Sequence, residues 1–182
     1  MALPDHIQSQ AVAFSSYTAN DALGILRQKG WLTTPSAPEQ TAWCERAVAL
    51  LGHYAVDAEG LAELLSLVFE YDAAEILKRV DSHAVLARHA ARDVLRKLAL
   101  LLLDPAPFTS DRFKEVVTSL KVGLHVRGRD LFHPIRLALA GRAGEGELDR
   151  VILLLDDAAA LSFAVAVKST RTRILEFCSA LD

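Results

Sequence analysis

Residues 131–142 read LFHPIRLALAGR, and this is the stretch of the sequence that says most about the fold. Pro134 suits the first turn of a helix, where the missing N–H of a proline has no partner to lose. The residues from Ile135 to Ala140 are nearly all apolar, and a loop with three glycines follows them. We therefore predict that Pro134 opens a short helix over residues 135–140.

Helical spacing also marks the first half of the chain. Asp57 is a suitable helix cap, and the apolar residues after it recur at the i, i+3, i+4, i+7 spacing of a buried helix face. These are Leu61, Leu64, Leu65, Val68 and Phe69. Asp81 and Ser82 are expected to cap a longer helix that continues to Leu102. No run alternates strictly between apolar and polar residues as a half-buried strand would, so the predicted fold class is all-α.

Two prolines make the clearest internal boundary. Pro105 and Pro107 interrupt the helical pattern, because proline cannot continue a helix. We predict two packed helical subdomains that meet there. Residues 1–105 form the N-terminal subdomain, and residues 106–182 form the C-terminal one, which carries the Pro-Ile-Arg motif.

The longest apolar run, residues 151–167, contains Asp156 and Asp157. Two carboxylates at its centre are too costly for a bilayer, so the run is interpreted as a helix, a break and a final helix over residues 157–180. No signal-peptide pattern is visible in Met1–Gln10. We expect a soluble protein without a membrane partner, located in the cytoplasm.

The cysteines and histidines indicate no site of their own. Cys44 and Cys178 lie far apart, and a reducing compartment predicts that both thiols are free. The histidine pairs have neither the i, i+4 spacing nor the neighbouring cysteines of a zinc site. These pairs are His83 with His89 and His125 with His133. No metal, cofactor or catalytic residue is therefore predicted.

Charge is distributed unevenly along the chain. Between Phe108 and Arg142, seven basic residues against three acidic ones give a charge of +4, which leaves −7 for the rest of a chain whose net charge is −3. This balance weighs against a dedicated high-affinity nucleic-acid binder, and DNA is not expected as a partner. A basic segment in an acidic protein is nevertheless compatible with RNA.

The same segment carries a family resemblance. The motif at 131–142, the basic-Gly-basic loop Arg127–Arg129 and the leucine-rich helix after Glu147 resemble the C-terminal anticodon-binding region of bacterial glutamyl-tRNA synthetases. Looser matches occur at residues 27–34 and 67–72. The matches keep their order over roughly residues 21–180.

The resemblance implies an all-helical domain that binds tRNA or a tRNA-like RNA loop. Four arginines would then face the RNA, with guanidinium groups that bind phosphates or stack on unpaired bases. They are Arg127, Arg129, Arg136 and Arg142. The alternative is that Arg136 ties its helix to a carboxylate and the others are solvated. Asp156 and Asp157 replace the glycine and basic residues usual in the family, and they are expected to weaken RNA binding.

The catalytic signatures of these synthetases are absent from the sequence. It contains no His-x-Gly-Gly or His-x-Gly-His arrangement and no Lys-x-Ser-Lys loop. We therefore expect a free-standing domain that is not an enzyme and does not aminoacylate tRNA by itself. A second hypothesis is a repurposed synthetase-derived domain that binds another protein and has lost RNA binding.

Overall fold

A computed structural model describes residues 16–33 and 35–182; the segment Met1–Gln10 and residue Thr34 lie outside the described residues. The described part folds into ten α-helices and one short 3-10 turn (Gly52–Tyr54), and it contains no strand. The all-α prediction is therefore confirmed. The helices are α1 (Ala19–Gln28), α2 (Pro38–Leu51), α3 (Ala58–Phe69), α4 (Ala73–Lys78), α5 (Val80–Leu86), α6 (Ala91–Leu101), α7 (Ser110–Leu124), α8 (Arg129–Ala140), α9 (Gly146–Ala159) and α10 (Thr170–Leu181).

Helix α3 forms as its sequence predicts. The Asp57 carboxylate accepts the backbone N–H of Gly60 at 2.8 Å and so caps the first turn. The whole predicted apolar stripe of α3 is buried. At its end, Phe69 stacks on Trp31 with ring centroids 4.8 Å apart, while Phe163 meets the Phe69 ring edge-on at 5.0 Å. Each such side chain contributes about 1.5–3 kcal/mol by leaving water.

The prediction of one long helix after Asp81 is wrong, because the structure has two helices there, α5 and α6. The turn between them ends at Ala90, whose backbone is left-handed with φ 62°. A left-handed residue cannot continue a right-handed helix. Ser82 is buried inside α5, and its hydroxyl donates to the carbonyl of Ile76 at 2.6 Å.

The predicted place of Pro134 is also wrong. Helix α8 begins at Arg129, so Pro134 lies in its second turn instead of opening it. Gly128 starts the helix with φ 58°, and its carbonyl accepts the N–H of Phe132 at 2.9 Å. A proline at this depth removes one intrahelical hydrogen bond, and the apolar face of α8 compensates because it is buried from Pro134 to Ala140.

The final helix is shorter than expected, because Asp156 and Asp157 do not break α9. That helix continues to Ala159, and α10 begins only at Thr170. The Asp156 carboxylate accepts the Thr170 N–H at 2.8 Å and the Thr170 hydroxyl at 3.0 Å. It thereby satisfies a backbone donor at the start of the next helix.

Helices from both sides of Pro105 pack against each other. Helix α6 contacts α8, α3 contacts α9, and α4 contacts α10. Buried residues of all these helices belong to one apolar cluster. The division into subdomains 1–105 and 106–182 stays a prediction. Within the described ranges, no helix is both long enough and apolar enough to cross a membrane.

Candidate RNA-binding surface

The loop between α7 and α8 presents two arginines to solvent. His125 closes α7 in a left-handed conformation with φ 54°, and the buried side chain of Val126 anchors the loop. Arg127 and Arg129 follow and are both exposed. No hydrogen bond or ion pair joins either guanidinium to another residue of the described part. Both charges are therefore available to an external anion.

Arg142 lies at the other end of α8. Gly141 ends that helix with φ 87°, a conformation that favours glycine. Arg142 comes next; it is half-buried and, among residues 16–33 and 35–182, has no hydrogen bond or ion pair. The Gly141 carbonyl accepts a hydrogen bond from Arg79, so the backbone that carries Arg142 is held in place.

Arg136 is held inside the protein. Its Nε and Nη2 donate to the two carboxylate oxygens of Asp149 at 2.8 and 2.9 Å, and its Nη1 donates to the Gly144 carbonyl at 2.8 Å. The guanidinium also lies over the Phe132 ring, 4.8 Å from its centroid. Burial opposes the charge, but the bonds to Asp149 outweigh it and raise the pKa of Arg136.

The four predicted arginines therefore fall into two groups, one with internal partners and one without. Arg136 ties α8 to α9 and to the glycine loop, which is the intramolecular alternative that the sequence left open. Arg127, Arg129 and Arg142 keep their donors free at the two ends of α8. Because a helix rises about 1.5 Å per residue, the two ends of α8, at Arg129 and Ala140, lie about 16 Å apart along its axis.

One residue that the sequence analysis missed is Arg173 on α10, which is fully buried. Its Nη1 donates to the carbonyls of Leu67 (2.8 Å) and Leu139 (2.9 Å), and its Nη2 donates to that of Val68 (2.7 Å). Its Nε donates to the Lys168 carbonyl at 3.0 Å. One cation thus binds the C-terminal carbonyls of α3 and α8, where the helix dipole favours positive charge.

Burial lowers the pKa of Arg173 to about 10, and the face of the Tyr71 ring, 4.5 Å away, helps to hold the charge. The Tyr71 hydroxyl donates to the Ala138 carbonyl at 2.5 Å. Together these two side chains fix the end of α8. A signal for this role was present in the sequence, because Arg173 interrupts the apolar stripe of Ile174 and Phe177.

Comparison with known proteins agrees with this architecture. A family model described as an anticodon binding domain matches residues 18–162, which include all four arginines of the predicted site. The chain belongs to the anticodon-binding domain family. Helix α10, with Arg173, lies beyond the matched residues.

Relatives of this anticodon-binding domain are glutamate–tRNA ligases. The ligase of Geobacillus thermodenitrificans is 30% identical over 134 residues, which cover 74% of this chain and 27% of that protein. The ligase of Bacillus subtilis is 27% identical over 130 residues, or 71% of this chain and 26% of the ligase. This chain therefore spans about a quarter of the length of these ligases. No solved structure matches it significantly.

The two carboxylates that depart from the family pattern serve the fold of the anticodon-binding domain. Asp156 accepts the Phe108 N–H at 3.3 Å in addition to its bonds with Thr170. Asp157 forms an ion pair with Arg46. Neutral hydrogen-bond donors therefore stabilise the Asp156 carboxylate, and the Arg46 guanidinium offsets the charge of Asp157.

The cysteines and potential metal ligands of the described residues form no recognisable reactive site. Cys44 is buried and Cys178 is half-buried, and neither forms a disulfide. Burial raises the pKa of Cys44 to about 12, although Arg27 works against this, so its thiol is unreactive at neutral pH. Among the described residues, no group of three or more His, Cys, Asp or Glu side chains is arranged to hold a metal.

Proposed function

We propose that this domain binds tRNA or a tRNA-like RNA loop along α8. Arg127 and Arg129 would contact the RNA at one end of the helix, and Arg142 would contact it at the other. The observation that carries the proposal is that these three guanidiniums have no partner in the described structure, within a family whose model is named for anticodon binding. Arg136 contributes by holding the glycine loop beside Arg142.

The arrangement suits RNA for physical reasons. Guanidinium groups bind phosphates in a bidentate manner and stack on unpaired bases, both of which a hairpin loop offers. The two ends of α8, about 16 Å apart, could contact different nucleotides of one folded loop. Because the chain has a net charge of −3, affinity should be modest and should depend strongly on salt.

We further propose that these 182 residues neither activate glutamate nor charge tRNA. The sequence contains neither ATP-binding signature of the synthetases. Glutamate-dependent pyrophosphate exchange should stay at background with protein purified away from host synthetase. Exchange that rises in proportion to the concentration of this chain would contradict the proposal.

The test of RNA binding is a salt titration with a labelled anticodon stem–loop of glutamate tRNA. The double variant Arg127→Glu, Arg129→Glu should bind more weakly than the wild type. Its log–log salt slope should be smaller by roughly 0.7–0.9 for each lost phosphate contact. A matched control is Arg27→Glu, Lys29→Glu, since these two cations are also exposed and two residues apart but lie at the end of α1. The control should keep the wild-type slope.

A wild-type protein that does not bind RNA would exclude the proposed function. If the wild type shows no salt-sensitive association with any tRNA at low ionic strength, RNA binding is excluded. The domain would then fit the second hypothesis, a synthetase-derived module that binds another protein.

A further inference from the structure

The turn between α5 and α6 brings a fifth arginine against α8. Arg88 lies in that turn, which Ala90 closes with φ 62°. The Arg88 Nη1 lies 3.2 Å from Nδ1 of His133. In the part of the chain that the structure describes, no carboxylate pairs with Arg88. A cation from the first half of the chain is thus placed on the helix that carries the proposed RNA contacts.

The contact between Arg88 and His133 determines which nitrogen of the imidazole ring carries the proton. A guanidinium can only donate hydrogen bonds, so Nδ1 accepts, and the proton of the neutral ring sits on Nε2. That Nε2 is buried and has no hydrogen-bond partner among the described residues. Burial, followed by the charges of Arg88, Arg129 and Arg136, lowers the pKa of His133, while Glu145 works in the opposite direction. The neutral ring is therefore a fixed acceptor that orients the guanidinium of Arg88.

Arg129 lies on the same side of α8. It precedes His133 by four residues, and residues four apart in a helix are neighbours on one face. The charges of Arg88 and Arg129 therefore both act on the His133 ring. Helix α8 begins at Arg129 without a side-chain cap, so the positive end of its dipole adds to the positive potential around Arg129. Asp130 follows Arg129 in the sequence and the charge of Glu145 acts on His133, but neither carboxylate forms an ion pair with Arg88 or Arg129 among the described residues.

Two guanidiniums that act on the same ring without a carboxylate partner repel each other, and an anion bound by both would relieve the repulsion. We propose that Arg88 and Arg129 together form one binding site for a backbone phosphate of RNA, and that His133 is the positioning residue for Arg88. The inference rests on the proposed RNA binding and extends it to the first half of the chain. A phosphate fits because its oxygens can accept hydrogen bonds from two guanidiniums at once.

The test again uses the labelled anticodon stem–loop and its salt slope. Arg88→Gln removes the charge but keeps an N–H donor for His133, so the fold should be preserved. We expect weaker binding and a salt slope smaller by roughly 0.7–0.9, the effect of one phosphate contact. The matched control is Arg92→Gln, because Arg92 is exposed four residues later and lies beside Ala180 and Leu181 instead of α8. The control should keep the wild-type slope.

A double-variant cycle tests whether the two arginines share one phosphate. If they do, Arg129→Gln should cost less affinity in the Arg88→Gln background than in the wild type. Strictly additive losses would overturn the single site. An unchanged slope in Arg88→Gln, with a reduced slope in Arg129→Gln, would remove Arg88 from the site and leave the proposed function standing. If the wild type does not bind, both proposals fail.

The positioning role of His133 has its own readout. His133→Asn keeps an acceptor near the place of Nδ1 and should retain the wild-type slope. His133→Leu removes the acceptor and should reproduce the loss seen in Arg88→Gln, after which Arg88→Gln has no further effect. A His133→Leu variant that is folded and binds with the wild-type slope would refute the role.

Discussion

Two arginines of α8 have opposite surroundings. Arg136 is committed to Asp149 and Gly144, while Arg129, two turns earlier, has no partner in the described part of the chain. The sequence left both roles open for Arg136, because Arg129 and Arg136 both lie in segments that carry the resemblance. The partner of Arg136 is thirteen residues away, on another helix.

Arg136 should stabilise the fold through its bonds to Asp149. Replacing it with Ala leaves the partly buried Asp149 without its bidentate partner, so stability should fall by about 2–4 kcal/mol. Arg136→Lys should recover little, because an ammonium cannot reproduce the two parallel bonds. Urea unfolding measures both effects. A variant that keeps full stability but loses RNA affinity would instead make Arg136 a direct RNA contact.

The protonation of His133 should make the free energy of unfolding depend on pH. Its pKa is lowered in the folded state, so the unfolded chain takes up the proton first as pH falls. The contribution of His133 to stability should be complete above about pH 6.5 and should decline as pH falls through the folded-state pKa. Urea unfolding at pH 7.5 and 5.5 should show a larger loss for the wild type than for His133→Asn. Equal losses would contradict a neutral ring in the folded state.

The C-terminal ends of α3 and α8 depend on one buried side chain from α10. Arg173 binds carbonyls at the ends of both α3 and α8, so removing it should leave several buried acceptors unsatisfied. We expect Arg173→Met to cost about 3–5 kcal/mol and Tyr71→Phe about 1 kcal/mol. Hydrogen exchange should accelerate most at the C-terminal turns of these two helices. Exchange that rises only in α10 would contradict the capping role.

The sequence predicted elements whose signals are local and missed those fixed by distant contacts. The cap at Asp57 and the stripe of α3 are contained within one helix, and both were confirmed. The break at Ala90 has no residue signal, because alanine favours helices. Asp156 was interpreted as a helix breaker, since its role depends on Thr170, fourteen residues away.

At the scale of the whole molecule, the core joins both halves of the chain. Its apolar cluster contains residues of α2 and α3 together with those of α8 and α9. We therefore expect the two predicted subdomains to unfold together. Circular dichroism and Trp fluorescence should give coincident urea transitions, since Trp31 and Trp43 report on the first half while the helix signal reports on both. Two separate transitions would show independent subdomains.

We propose above all that RNA binds along α8. The most direct test of this proposal is an NMR titration that follows the arginine Nε–Hε resonances while the anticodon stem–loop is added. We expect the resonances of Arg127, Arg129 and Arg142 to shift in step with binding, whereas those of Arg27, on α1, and of the buried Arg173 should stay in place. Shifts confined to Arg27 and other arginines away from α8, or no shift at saturating RNA, would contradict it.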